Sequence, residues 1–264
     1  MSALADNLAR VQERMAAAAR RSGRDASEVT LVAVTKSHPP DTILEAFELG
    51  VRHFGENRAE EASLKIPSVQ SAISDQSSVI SHQSSVIGHR PSAISHRPSA
   101  ITWHMIGHVQ SRKAETVADL FDWVHSVDGL KLGERLSRFA GQSGKTLNVL
   151  LEFNLSEEPG KYGFRLKGQN LGDNPDLQTT IESIAALPYL IVAGLMTMAP
   201  IVSEQEQARP VFQALRRLLD ELATRHPHCD WRHLSMGMTD DFEVAIEEGA
   251  TMVRIGRAIF GERT

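Results

Sequence analysis

The chain has 264 residues, 41% of them hydrophobic and 23% charged, with a net charge of −5, the composition of an ordinary soluble globular protein. That charge gives no overall electrostatic case for nucleic acid or an anionic membrane surface, though a local basic pocket for a small anion is compatible with it. Cys229 is the single cysteine, which excludes an intramolecular disulfide framework and suits a reducing compartment.

The N-terminal stretch places Leu4, Leu8, Val11 and Met15 at helical spacing, with Asp6, Arg10, Glu13 and Arg14 on the other side. A secretory signal would need a continuous apolar core after a basic start, and no segment approaches the ~20 apolar residues of a membrane span. A cytoplasmic protein opening on an amphipathic helix is expected. Next comes LVAVTK, a run that reads as a strand buried on both faces and ends on Lys36, just before Pro39 and Pro40 stop it. An ordinary solvent-facing lysine is the alternative to a chemical role for Lys36. The helix PDTILEAFELG follows, with Pro40 in its first turn and Gly50 at its C-cap.

Strands and helices then alternate: VRHFGEN before RAEEASLKI, ITWHMIG before VQSRKAETVADLF, WVHSVD before GLKLGERLSRFAG. LNVLLEFNL, the clearest buried strand, precedes a polar loop and PDLQTTIESIAAL; YLIVAGLMTM precedes a long helix with Pro210 in its opening turn. HLSMGM is the seventh strand, Asp240 and Glu243 have capping-box spacing for the helix after it, and TMVRIGRAIFG is the eighth. Eight alternations argue for a parallel sheet closed into one (β/α)₈ barrel spanning residues 1–264, with an open doubly wound sheet as the alternative. No G-x-G-x-x-G follows the first strand, which weakens a dinucleotide-binding reading.

One segment does not fit the barrel pattern. Between the second helix and the third strand, Ile73, Ile80, Ile87, Ile94 and Ile101 recur every seven residues in a serine-rich background. Each unit has one apolar doublet where a coiled-coil seam needs separate a and d positions, and Pro91 and Pro98 oppose a helix. Residues 68–100 are therefore read as a low-complexity insert, a disordered surface loop. His82, His89 and His96 repeat with it; without accompanying cysteines or carboxylates they are read as part of the repeat, and no metal site is expected.

In a barrel of this kind the active face lies at the C-terminal ends of the strands, and Lys36, Asn57, His104, Ser235 and Arg254 all lie near such ends. Ser235 and Gly237 close the seventh strand, and Arg254 and Gly256 lie on the eighth with Arg257 after them. The loops after strands seven and eight commonly hold phosphate in such barrels, and a serine hydroxyl with backbone N–H groups beside glycines is suitable chemistry. Close packing is the alternative explanation of either glycine.

Six motifs in order carry a resemblance: Thr35-Lys36, Phe54-Gly55-Glu56-Asn57, Trp103-His104-Met105-Ile106-Gly107, Gly194-Leu195-Met196, Leu234-Ser235-Met236-Gly237-Met238 and Met252-Val253-Arg254-Ile255-Gly256. The chain resembles the pyridoxal phosphate homeostasis protein family, whose fold is similar to the barrel domain of alanine racemase. The resemblance spans the chain from the first helix to Gly261, apart from the insert. It implies pyridoxal 5′-phosphate as cofactor, with Lys36 forming an imine to its aldehyde and Ser235, Gly237, Gly256 and the Arg257 backbone around its phosphate. It implies Arg254 facing the pyridine nitrogen, with Asn57 and His104 nearer the ring. A guanidinium there keeps that nitrogen unprotonated and makes the ring a weaker electron sink.

Arg257 stands where the family often has threonine or serine, Arg112 where it often has asparagine, and the insert is not a family feature. The implied role is a monomeric carrier that holds the cofactor reversibly and supplies pyridoxal-phosphate-dependent apoenzymes. The alternatives are an amino-acid racemase or lyase, and behind them a cofactor-free aldolase acting through Lys36. Racemases take an acid/base tyrosine from a further β-domain, for which the chain has no room after its eighth strand. Tyr162 and Lys161, in the loop PGKYGF, are the remaining candidates, the lysine as a second amine for cofactor entry or exit.

Overall fold

The computed structural model describes residues 2–83 (76–83 as backbone only), 101–156, 158, 160–166 and 171–262. The chain opens with α1 (Ala3–Arg21), whose N-cap Ser2 accepts a hydrogen bond from the Ala5 N–H and whose Leu4, Leu8, Val11 and Met15 are buried as their spacing predicts. Strands and helices then alternate: β1 (Thr30–Val34), α2 (Pro40–Glu48), β2 (His53–Glu56), α3 (Ala59–Gln83), β3 (Thr102–Met105), α4 (Ala114–Leu120), β4 (Trp123–Val127) and α5 (Leu130–Gln142). The second half continues with β5 (Leu147–Glu152), α6 (Pro175–Ala185), β6 (Leu190–Met196), α7 (Arg209–Arg225), β7 (His233–Ser235), α8 (Phe242–Glu247), β8 (Met252–Ile255) and α9 (Arg257–Phe260).

Each strand pairs in parallel with the next, and β8 returns to β1 with Val32 opposite Arg254, so the sheet closes into a barrel. The expected (β/α)₈ architecture is therefore present, and the open-sheet alternative is excluded. Alternate residues divide between two cores. Ala33, Phe54, Trp103 and Val253 face the helices, whereas Val32, Leu150, Ala193, Met196 and Met252 form a separate apolar cluster inside the barrel. α1 lies against α8 and α9, fastened by ion pairs from Arg14 to Glu243 and Arg21 to Glu247. No described helix is long and apolar enough to cross a membrane.

Three expectations need correction. Residues 68–83 are not loop: α3 runs through Pro67 to Gln83, because Ile66, Val69 and Ile73 extend its apolar stripe against the core. The rest of the insert, with His89, His96 and both prolines of the repeat, lies outside the described residues. The eighth strand stops at Ile255, and Arg257–Phe260, read as its continuation, is the short helix α9. The capping box before α8 does not form either. Asp240 is bound to Arg257 and Glu243 to Arg14, and Asp241 instead accepts the Met238 N–H at 2.6 Å.

Candidate functional site

Inward-facing positions on β1 are set by Val32 and Val34, and the next position of that parity is Lys36, in the turn just past the strand. Lys36 lines a cavity of about 700 Å³ at the C-terminal mouth of the barrel, a size ordinary for small-molecule sites. Arg254, reached by the same parity on β8, lines the cavity while only 4% exposed. Asn57, Gly256 and Arg257 share the wall. Five of the eight sequence candidates thus converge on one space.

The other three lie outside that wall. Ser235 is fully buried and accepts a hydrogen bond from Arg254 Nη1 at 2.6 Å, while Arg254 Nη2 donates to the Thr197 carbonyl at 3.0 Å. His104 is also fully buried, inside the barrel rather than at its mouth. Its ring nitrogens meet His53 Nδ1 at 3.0 Å and His125 Nε2 at 2.9 Å, and His125 Nδ1 meets Ser235 Oγ at 2.8 Å. A continuous chain His53–His104–His125–Ser235–Arg254 therefore supports the guanidinium from within. Burial, reinforced for His104 by the neighbouring histidines and for His125 by the Arg254 guanidinium, holds both well below the usual histidine range, so both are neutral at pH 7. A neutral imidazole has one donor and one acceptor nitrogen, which such a chain uses fully.

Gly237 has a structural task. Its φ is +94°, and a Cβ there would stand 2.6 Å from the Ala245 Cβ and 3.0 Å from the Phe242 Cα of α8. Glycine at 237 serves the turn and the packing of α8. At Gly256 a Cβ would meet the Val34 carbonyl oxygen at 3.1 Å, so the backbone of β8 runs close beside β1 at the cavity wall.

Burial pulls Arg254 down to about 10, with Asp241 and Glu152 opposing it, which leaves the guanidinium charged at neutral pH. The Arg257 side chain, by contrast, is committed at the rim to both carboxylate oxygens of Asp240. Lys161 is paired with Glu158 and also donates to the Ala199 carbonyl at 3.3 Å. Tyr162, 54% exposed, stacks on His108 with ring centroids 3.5 Å apart.

Sequence reasoning missed several residues. Thr239, two positions past Gly237, lines the cavity with a hydroxyl. His125 was recoverable in principle, since WVHSVD has the alternation that puts it on the same face as His104 of the neighbouring strand. Lys65 and the partly exposed Glu61, four apart on α3, form with the buried Glu56 an ion-pair group bonded to the residues on either side of Lys36. Only a contact across elements reveals that group.

These features define a class: a parallel eight-stranded barrel presenting one inward lysine and one buried arginine to a cavity at its C-terminal mouth. The chain matches the alanine racemase N-terminal domain over residues 1–264. It is 38% identical to the pyridoxal phosphate homeostasis protein of Escherichia coli strain K12, covering 100% of this chain and 98% of the relative. It is 37% identical to the protein of that name in Pseudomonas aeruginosa, covering 100% and 97%. Among solved structures, PipY of Synechococcus elongatus with PLP bound superimposes with a TM-score of 0.73 at 33% identity, over 98% of this chain and 100% of that one. The chain belongs to the pyridoxal phosphate homeostasis protein family.

Proposed function

We propose that this protein binds pyridoxal 5′-phosphate reversibly at the barrel mouth, with Lys36 as its point of attachment, and serves to store and deliver it. The observation that carries this reading is the convergence of Lys36 and the charged, buried Arg254 on one cavity. The donor set fits the group. A primary amine can capture an aldehyde, the charged Arg254 suits an anionic ligand, and the close backbone passage at Gly256 suits contact through amides rather than side chains. When bound, the cofactor supplies an aldehyde carbon open to a lysine amine. Lys36 would provide that amine, while Thr239 and the backbone at Gly256 and Arg257 would take the phosphate.

Arg254 can only donate, so beside the pyridine nitrogen it would leave that atom without a proton. Ser235 and the histidines act through Arg254, holding it in place. The reading is of a cytoplasmic monomer with the barrel as its one domain, passing the cofactor to pyridoxal-phosphate-dependent apoenzymes. The likeness to PipY, solved with PLP bound, supports the choice of ligand.

The test is an absorption titration with pyridoxal 5′-phosphate, followed by borohydride reduction and peptide mapping, on the wild type and Lys36→Ala. A yellow band in the wild type, a single label on Lys36, and loss of both in the variant are expected. A label scattered over surface lysines, or a band that survives Lys36→Ala, overturns the assignment.

A further inference from the structure

The turn carrying Lys36 is gripped from its outer side. Thr35, fully buried, donates its hydroxyl to Glu56 Oε1 at 2.7 Å. Lys65, 6% exposed, reaches in from α3 and donates to three acceptors: the Thr35 carbonyl at 2.9 Å, Glu56 Oε1 at 2.8 Å and Glu61 Oε1 at 2.7 Å. Glu61 Oε1 also accepts the N–H of Ser37. The residues immediately before and after Lys36 are thus tied to one side-chain group. Ser37 has φ +66°, a left-handed conformation that serine adopts at a cost and that the surrounding bonds must hold.

We infer that Lys65, Glu61 and Glu56 are positioning residues for Lys36: they fix the turn so that its amine projects into the cavity, and they withhold Lys65 as a competing amine. This rests on the reading of Lys36 as the attachment lysine. Parity alone aims Lys36 inward. The ladder to β2 ends one residue earlier, where the Thr35 N–H donates to the Gly55 carbonyl at 3.0 Å, and the His38 N–H closes the turn on the Thr35 carbonyl at 3.0 Å. The clasp from α3 adds the side-chain restraint on either side of Lys36. Three acceptors around Lys65 engage the three protons of an ammonium, which leaves no lone pair for attack on a carbonyl. Burial alone would raise Glu61, yet hydrogen bonds from Lys65 and Ser37 outweigh it and hold the carboxyl below its ordinary range.

Glu61 is the cleanest place to cut, because it is partly exposed and its loss leaves the Lys65–Glu56 pair intact. Amide hydrogen exchange at Ser37, measured without ligand, should accelerate by about tenfold or more in Glu61→Ala and remain near wild type in Glu61→Gln, which keeps an acceptor. With pyridoxal 5′-phosphate added, Kd should weaken by about tenfold in Glu61→Ala and be largely restored in Glu61→Gln, with melting temperature little changed in both. The double variant Glu56→Gln/Lys65→Met removes both buried charges together, and it too should weaken labelling of Lys36.

Wild-type Ser37 exchange and wild-type Kd in Glu61→Ala overturn the inference, whether or not the double variant folds. If the wild type itself takes no label on Lys36, the proposed function fails instead. Ser37 exchange then still reports whether the clasp orders the turn.

Discussion

Glu152 ends β5 on the inward parity of Leu150, is 3% exposed, and keeps its Oε2 without a hydrogen-bond partner among the described residues. Burial raises its pKa from 4.5 to about 7, Asp128 adds to the rise, and Arg254 opposes it. The sign follows from linkage. The native state binds this proton more tightly than the unfolded chain does, so stability is greatest below the unfolded pKa. It falls as pH rises from about 4.5 to about 7. At about 1.36 kcal/mol per pH unit between the two values, the ionised carboxylate costs the native state about 3 kcal/mol at pH 8. Glutamine matches the neutral carboxyl in shape and cannot ionise.

Urea unfolding of wild type and Glu152→Gln at a series of pH values isolates this one group, since every other titration is common to both. The two proteins should have equal stability near pH 4. The variant should gain steadily thereafter, reaching an advantage of about 3 kcal/mol near pH 8 at unchanged m-value. A stability difference that does not vary with pH would refute the reasoning: Glu152 would then ionise normally, and the barrel mouth would be wetter than its burial implies.

Two further substitutions separate binding from scaffolding. Asp240→Asn releases the exposed Arg257 side chain from its ion pair, and pyridoxal 5′-phosphate should bind about two- to fivefold tighter at low salt, an advantage that fades as salt is added; an unchanged Kd would mean that the Arg257 side chain never meets the ligand. Gly237→Ala forces a Cβ into α8 at positive φ and should destabilise by about 2–4 kcal/mol in urea unfolding, whereas normal stability with weakened binding would return Gly237 to the ligand site.

The barrel was legible because its signals are local. Short apolar runs mark the strands, proline opens α2, α6 and α7, and glycine follows α1, α2, α5 and α8 within a few residues. Where short-range pattern and long-range packing disagree, packing decided. The serine-rich stretch after Pro67 reads as loop, yet Ile66, Val69 and Ile73 meet the core and carry α3 onward. RIGRAIFG reads as strand, yet the ladder with β1 ends at the pairing of Ala33 with Ile255 and the chain turns into α9.

In the site, residues at strand ends were found by position: Lys36 and Arg254 are where strand parity puts them. Whether a side chain faces the cavity or supports one that does was not legible. Ser235 and His104 have the composition of ligand contacts, but depth within the barrel is a property of all eight strands together. Lys65 was hidden for the same reason. As an i+4 partner of Glu61 it resembles a surface pair, and only the closed fold brings Glu56 and the Thr35 carbonyl against it.

Two polar systems of opposite kind flank the cavity, and the difference follows from what each supports. Arg254 is a buried cation, and a second positive charge beside it would be costly at short range in a medium that screens poorly. The groups bracing it from inside the barrel are accordingly neutral: a serine hydroxyl, a backbone carbonyl and histidines that burial keeps unprotonated. Behind Lys36 the task is to fix a backbone turn, and charge serves there because opposite charges are already matched: Lys65 against Glu56 and Glu61. Removing Lys65 or Glu56 alone would leave a buried charge uncompensated, which makes the inner half of that clasp rigid rather than adjustable. Glu152 stands between these cases. Raised to about 7 by burial and by Asp128, it is half ionised at neutral pH, so its opposition to the Arg254 charge weakens as pH falls below that value and is complete above it.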